Sequence, residues 1–415
     1  MADRHLLLEL LKQHNSFYLY EESVIRDAAQ RLTANFPGAQ FLYSVKCNPA
    51  ERVLNTIFAQ GFGADAASLG EVLAAVRHGV PKGLIYFSAP GRTEADFRQA
   101  WGHCVLIADS LHEIDMIRRI AAEKGEIAEI GVRINPSFTF TSDQGIPGKF
   151  GIDEDALWNA DLSGVRIVGI HVHAKSQELS ADVLTGYYEK MFSLISRVQE
   201  RLGVSLRFAN FGSGLGIPYG PGQAPLDVET LGQQFQTMLA KSRSAWPELQ
   251  ILIETGRYVV GKSGTYVTSV VDKKVSMGKT FVLLQNTLNG FIRPALSQMV
   301  RGYTDTPFPC EPLFTQVDAS AFLPLTDHKE QETVTLAGNL CTAADIIARD
   351  ISLPRLEIGD GLAMDNAGSY AAVLTPMQFA FMPQSPQLFL TANGQVVSAC
   401  HPTHLQRLNR IINWY

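Results

Sequence analysis

Cysteine is scarce, and what there is falls into no pattern. The five thiols, at 47, 104, 310, 341 and 400, are odd in number, scattered and without metal-ligand spacing. Neither a disulfide framework nor a metal motif is expected, and reduced thiols of a cytoplasmic protein are. Long apolar runs are missing too. No stretch approaches the roughly 20 uninterrupted apolar residues that a membrane span needs. The opening MADRHLLLELLKQHNS carries too short an apolar run for a secretory signal and reads as an amphipathic helix. Positive charge is not in excess: 35 basic against 41 acidic residues leave a net charge of −6. That argues against nucleic acid as the main partner. There is no low-complexity tract and no evident linker.

What is present is core material. The chain has 415 residues, 46% hydrophobic and 18% charged. That length exceeds one ordinary core, so two domains are expected. Short apolar or β-branched runs recur at 41–45 (FLYSV), 62–66 (FGADA), 85–88 (IYFS), 105–109 (VLIAD), 130–134 (IGVRI), 168–173 (VGIHVH), 208–212 (FANFG) and 251–255 (ILIET). Stretches of helical period separate them, among them Gly70–His78, Leu111–Glu123 and Val183–Arg201. Eight such alternations predict an α/β fold, a (β/α)8 barrel, with a doubly wound open sheet as the structural alternative. After about 265 the period changes to two, in GTYVTSVVDKKVSM, TFVLLQN, TVTLAGN, RLEIGDGLAMDN and QLFLTANGQVVSA. This predicts a β-rich C-terminal domain over 266–415, a barrel over 26–265, and a first segment, 1–25, that packs on the β domain.

Barrel enzymes carry their sites at the C-terminal ends of the strands, and the unusual polar residues fall there. Lys46 follows the first strand, where apolar walls would lower its pKa towards the neutral amine of Schiff-base chemistry. Asp65 and Ser68 end the second strand, Arg133 the fifth, and His171 and His173 the sixth. The turn Gly212, Ser213, Gly214 and Gly216 ends the seventh, and Glu254 and Arg257 the eighth. Convergent backbone amides in a glycine-dense turn suit an anion. The alternative is a tight turn with no ligand. Glu254 suits a protonated ring nitrogen and Arg257 a phosphate, although the two could equally pair with each other. His171 and His173 share a strand face as zinc ligands can, but no further ligand lies in a suitable pattern, so no metal is expected. In the second half, Cys341 lies between a strand and an expected helix, and Tyr370 follows a turn in AGSY.

Taken in order, these stretches resemble the fold-type III, pyridoxal-phosphate-dependent decarboxylases, the family of diaminopimelate, ornithine and arginine decarboxylases. YSVKCNP is similar to that family's YAxKANx, GADAASLGE to GxDxxSxGE, and RINP and KFGI to RxNP and KFGI. HVHAKSQ is similar to HxHIGSQ, FGSGLGI to IGGGLGI, and ETGRYVV to EPGRxxV. FIRPAL, GNLCTAAD and DNAGSYAAVL are similar to RPALY, GPxCxxxD and AGAY. The likeness runs from about residue 17 to 375. It implies an alanine racemase-like barrel with an antiparallel β domain, and pyridoxal 5'-phosphate as cofactor. Lys46 would bond the cofactor, His173 would stack on its ring and Glu254 would pair with the ring nitrogen. Gly212, Ser213, Gly214, Gly216, Arg257, Tyr370 and Ser176 would hold the phosphate, with Asp65 and Arg133 close by. Cys341 would return a proton after carbon dioxide leaves. The cysteine loop and the tyrosine would reach in from the other subunit of a homodimer with shared active sites.

The departures bear on substrate. Where family members that take a distal amino group carry an acid after the cysteine, this chain has Thr342, although Asp345 remains. Lys175 stands in HAKSQ, and Asn210 replaces the acid usual before the glycine turn. Lys175, Arg293, Thr342 and Asp345 are the substrate-binding candidates. Losing a negative charge and gaining a positive one points to a carboxylate-bearing or acylated substrate. Examples are a citryl-diamino acid of carboxylate siderophore synthesis and a carrier-protein-tethered glutamyl group. A free diamino acid, as for diaminopimelate or ornithine decarboxylase, is the alternative. A racemase, a barrel-only cofactor-binding protein and a cofactor-free scaffold fit less well. Membrane and nucleic-acid partners are not expected.

Overall fold

A computed structural model describes residues 3–212, 214–301 and 319–400. Ser213 and Cys310 therefore lie outside the described residues. The chain starts with a helix, Arg4–Leu11, and a strand, β1 (Ser16–Glu21). Eight parallel strands then close into a barrel: β2 (Ala39–Ser44), β3 (Gly63–Ala66), β4 (Ile85–Phe87), β5 (Val105–Ala108), β6 (Ala128–Asn135) and, after the short β7 (Ile152–Asp153) beside β6, β8 (Val165–His171), β9 (Phe208–Asn210) and β10 (Gln250–Thr255). Pairing of β5 with β6 and of β10 with β2 completes the ring.

Strands enclosed on both faces read as unbroken apolar runs, which is why they stand out in the sequence. Inside the barrel, Leu42, Tyr86, Ile107, Val168, Phe208 and Leu252 form their own buried cluster. Phe208 takes the space two glycines leave. A Cβ built on Gly169 would sit 2.2 Å from its ring, and one on Gly131 2.8 Å from it. Helices return the chain from each strand end, and several start on a hydroxyl or carboxylate cap. Ser68, Ser110 and Ser180 accept from the backbone amides of Glu71, Glu113 and Val183, and Asp227 from that of Thr230. Each such cap contributes about 1 kcal/mol. Ser68 is thus a helix cap rather than a site residue.

The second sheet holds β11 (Gly264–Ser276), β12 (Lys279–Leu284), β13 (Leu323–Leu325), β14 (Gln331–Gly338), β15 (Ile346–Pro354), β16 (Gly361–Met364), β17 (Gln387–Leu390) and β18 (Val396–Ser398). Most pairs are antiparallel; β12 with β14 and β1 with β17 are parallel. Strand β1 lies in this sheet, between β11 and β17. The helix Arg4–Leu11 buries Leu7, Leu10 and Leu11 with Phe17, Leu19, Val267 and Leu388 in a separate core. Two local expectations need correction. No helix follows Cys341: the chain turns and enters β15, whose Ile346, Ile347 and Ile351 suit a strand. A helix does form at Ile292–Arg301, where none was expected.

Candidate active site

Beyond β2 the chain makes one tight turn, Val45–Cys47, which lifts Lys46 over the barrel mouth. Its Nζ donates to Asp65 Oδ2 at 2.6 Å, on the adjacent β3, and Ser44 Oγ donates to the same oxygen at 2.8 Å. Burial pulls the Lys46 pKa down, but the Asp65 and Glu254 carboxylates outweigh it and the net shift is upward. The expected neutral amine is therefore corrected: without a ligand, Lys46 is an ammonium.

Glu254 lies near the end of β10, the strand beside β2, and is 2% exposed. His171 Nε2 lies 3.0 Å from Oε1 and His173 Nδ1 3.4 Å from Oε2. Asn210 Nδ2 donates to Oε1 at 2.9 Å. Burial alone would raise the glutamate's pKa; the two imidazoles reverse this and hold it well below the carboxylate range. His171 is itself fully enclosed, which lowers its pKa against the pull of Glu254. Its Nδ1 lies 3.0 Å from Ser88 Oγ. The two histidines thus share a carboxylate, and no cluster suited to a metal ion occurs among the described residues. His173 is the more open of the pair, and Ser176 Oγ lies 3.3 Å from its Nε2.

The glycine turn follows β9. Gly212 has φ +67°, and a Cβ there would lie 2.2 Å from Val172 O, so both backbone shape and space demand glycine. Gly214 also has positive φ, and Gly216 N donates to Glu178 O at 3.0 Å. Arg257 opens the short helix after β10 and is 8% exposed. Its Nη1 donates to Tyr219 OH at 2.8 Å, and its guanidinium lies 4.8 Å from the Tyr370 ring centre. Among the described residues no carboxylate lies within ion-pair distance of it. The Glu254–Arg257 ion pair, the alternative to their cofactor-binding reading, does not form. Tyr370 has φ +50°, its N–H donates to Cys47 O at 3.0 Å, and its side chain reaches the Cys47 thiol. It therefore approaches the Lys46 turn of its own chain, where the resemblance had implied a reach into the other subunit.

The remaining candidates are placed differently. Arg133 pairs with Asp109 at 3.3 Å and lies under the Phe150 ring. Lys175 pairs with Glu178 at 2.9 Å, which neutralises the charge it was expected to bring. Arg293 spends Nη1 and Nη2 on the backbone carbonyls of Asn366 and Asp365, stacked between Tyr219 and Phe291. Asp345 is 2% exposed and accepts from Thr287 Oγ1, Leu288 N and Leu340 N, so the expectation that it meets substrate is corrected. Its carboxylate holds the Cys341 loop in shape. On that loop Cys341 is exposed and Thr342 half-buried. Sequence reasoning gave no role to Tyr219 and noted Asn210 only as a departure from the family pattern. Both lie in NFGSGLGIPYG, and a tyrosine so close to a glycine turn was the available signal for the first.

Comparison with known proteins shows the family and the fold. The family of pyridoxal-dependent decarboxylases, pyridoxal binding domain, matches residues 22–261. An L-glutamyl-[BtrI acyl-carrier protein] decarboxylase of Niallia circulans is 30% identical over 391 residues, 91% of this chain and 89% of the relative. A 2-[(L-alanin-3-ylcarbamoyl)methyl]-2-hydroxybutanedioate decarboxylase of Staphylococcus aureus is 25% identical over 90% of this chain and 94% of its own. The crystal structure of diaminopimelate decarboxylase from Helicobacter pylori with L-lysine superposes with a TM-score of 0.80 at 25% identity, covering 97% of this chain and 99% of that one. A match over more than half the chain and a relative of this identity over nine-tenths of it place the chain in the family of pyridoxal-dependent decarboxylases, carboxy-lyases that work with pyridoxal 5'-phosphate.

Proposed function

We propose that the chain decarboxylates an amino-acid conjugate, and that the substrate is a carboxylate-bearing citryl-diamino acid of the siderophore type. The donor set fits the family's cofactor. Arg257 is a nearly buried cation with no acid paired to it among the described residues, as a phosphate site requires. Lys46 supplies the amine for an aldehyde, and the ionised Glu254 supplies the partner of a pyridinium nitrogen. When bound, the cofactor supplies the electron sink that makes loss of the carboxylate feasible. The chain's own residues do the rest. Glu254 keeps a positive charge favourable at the far end of the site, His173 offers its open imidazole face above it, and the glycine turn with Arg257 and Tyr370 anchors the near end. Cys341 acts from a second copy of the chain. In support, it is exposed, and its loop is braced by Asp345 against residues 287–288 of the β domain.

The observation that carries the substrate is the commitment of Asp345. With its carboxylate locked in the loop and Thr342 in place of an acid, the cysteine loop offers no negative charge to a distal ammonium. Two relatives, by their names, act on amino acids joined through a carrier protein or a carbamoyl link. The charge argument from Lys175 falls away, since Glu178 pairs with it. A cytoplasmic homodimer belongs to the same reading; among the described residues no helix is long and apolar enough to cross a membrane. Incubation with citryl-diaminopropionate, diaminopimelate and ornithine, read by mass spectrometry, tests it. Loss of carbon dioxide from the citryl conjugate is expected. Turnover of diaminopimelate alone would establish the diamino-acid reading instead.

A further inference from the structure

Tyr219 meets two buried cations at once. Its hydroxyl accepts from Arg257 Nη1 at 2.8 Å, and its ring centre lies 5.7 Å from that guanidinium and 4.8 Å from the guanidinium of Arg293. Burial lowers the Arg293 pKa most and the charge of Arg257 lowers it further, so the two cations are close enough to repel. The negative face of an aromatic ring suits a guanidinium. Three side chains fix the stretch that carries this ring. Gln177 pairs with the backbone of Ile217 through both ends of its amide. Asn366 Nδ2 donates to Pro218 O at 3.3 Å, and Gln223 Oε1 accepts from Tyr219 N at 2.7 Å.

The kind of acceptor matters, because Arg257 is 8% exposed and pairs with no carboxylate among the described residues. A guanidinium has five donors to satisfy, and one left unbonded in a buried place is costly. A carboxylate would satisfy one but would also cancel the charge that an incoming anion needs. A phenol accepts the hydrogen bond and stays neutral. It also pins the rigid plane of the guanidinium, which fixes where the remaining donors aim. We propose that Tyr219 is a positioning residue that holds the Arg257 guanidinium in one plane for a phosphate, with its charge uncancelled, and so sets the chain's preference for phosphorylated over unphosphorylated pyridoxal. This rests on the reading of Arg257 as a ligand of the cofactor's phosphate. Without the hydroxyl, the cost of ordering the arginine falls at the moment of binding, and a ligand that carries no phosphate escapes it.

Tyr219→Phe removes the hydroxyl and keeps the ring beside Arg293. The apoproteins of this variant, of the wild type and of Arg257→Gln are titrated with pyridoxal 5'-phosphate and with pyridoxal, each followed by its change in visible absorption. Tyr219→Phe should bind pyridoxal 5'-phosphate about fivefold more weakly and pyridoxal within about twofold of the wild type. Arg257→Gln should lose most of the preference. A wild-type preference in Tyr219→Phe, or equal weakening of both ligands, overturns the proposal, while a collapsed preference in Arg257→Gln keeps the phosphate reading of that arginine. An undiminished preference in Arg257→Gln refutes the phosphate reading, and the proposal with it. Should Tyr219→Phe not fold, Tyr219→Met decides by the same ratio. The preference should again fall about fivefold, and a wild-type ratio in that variant overturns the proposal.

Discussion

Lys46 Nζ and Asp65 Oδ2 lie 2.6 Å apart across two neighbouring barrel strands, and this contact sets the charge of the candidate nucleophile. Burial favours the free amine; two carboxylates win against it and raise the pKa. Asp65→Asn should remove the nearer of the two. The amine of the apoprotein should then deprotonate at lower pH and react faster with an acylating reagent at pH 8, by several-fold, as peptide mapping of Lys46 would record. The sign for stability follows. A raised lysine pKa stabilises the fold fully below the unfolded value of about 10.4 and loses that contribution as pH climbs through the folded value. The substitution should therefore lower stability of the apoprotein at pH 6, where that contribution is complete, and cost progressively less as pH climbs above about 10.4, as thermal melts at pH 6 and in the alkaline range would show.

If Cys341 serves the site of a second copy, two dead variants should rescue one another. Lys46→Ala lacks the amine and Cys341→Ala the thiol. Random reassortment in a two-fold dimer gives half heterodimers, each with one intact site of two, and hence about a quarter of wild-type carbon dioxide release. Either variant alone should stay near background. A mixture that exchanges subunits, shown by native mass spectrometry, yet stays inactive would place Cys341 in its own chain's site.

The barrel was legible because parallel strands covered on both faces must be apolar throughout, so ILIET and VLIAD announce themselves. The strand-end residues were legible for the same reason: a polar side chain at the end of such a run has few structural excuses. What the sequence could not convey is pairing between distant positions. The charge of Lys46 depends on Asp65 and Glu254, and nothing in YSVKCNP records either. Lys175 looked like a gained charge until Glu178, one turn of chain further on, closed on it. Asp345 read as a spare acid for substrate, because its three donors come from residues 287, 288 and 340. Strand β15 was read as a helix, since AADII carries no period-two signal until Ile346 has entered the sheet.

Asp345→Ala should act on stability and not on substrate contact. It strips a buried acceptor from Thr287 Oγ1 and from the amides of Leu288 and Leu340. Unpaired buried donors cost about 1–3 kcal/mol each, softened here by water reaching the loop, so a loss of about 3 kcal/mol in denaturant unfolding is expected. Cys341, already exposed, should gain little in its rate of alkylation while the loop's backbone amides lose protection from hydrogen exchange. A variant of wild-type stability that loses only turnover would return Asp345 to the substrate.

Gly256 and Cys47 give the sharpest steric test. A Cβ on Gly256 would stand 2.1 Å from Cys47 Sγ and 3.1 Å from its Cβ, in the turn that sets Glu254 and Arg257. Neither backbone can yield, because β10 and β2 are paired up to Thr255 and Tyr43. Gly256→Ala should therefore cost about 1–3 kcal/mol of stability and weaken cofactor binding through Arg257. Cys47→Ala removes the sulfur that is in the way, and the 3.1 Å contact with its Cβ remains as the lesser clash. Combined, the two substitutions should recover part of the stability that Gly256→Ala loses, a coupling in the range of about 0.5–3 kcal/mol for residues in direct contact. Strict additivity in a double-mutant cycle, measured by urea unfolding of the apoprotein, would show that Gly256 is required for its backbone conformation and not for the room it leaves to Cys47.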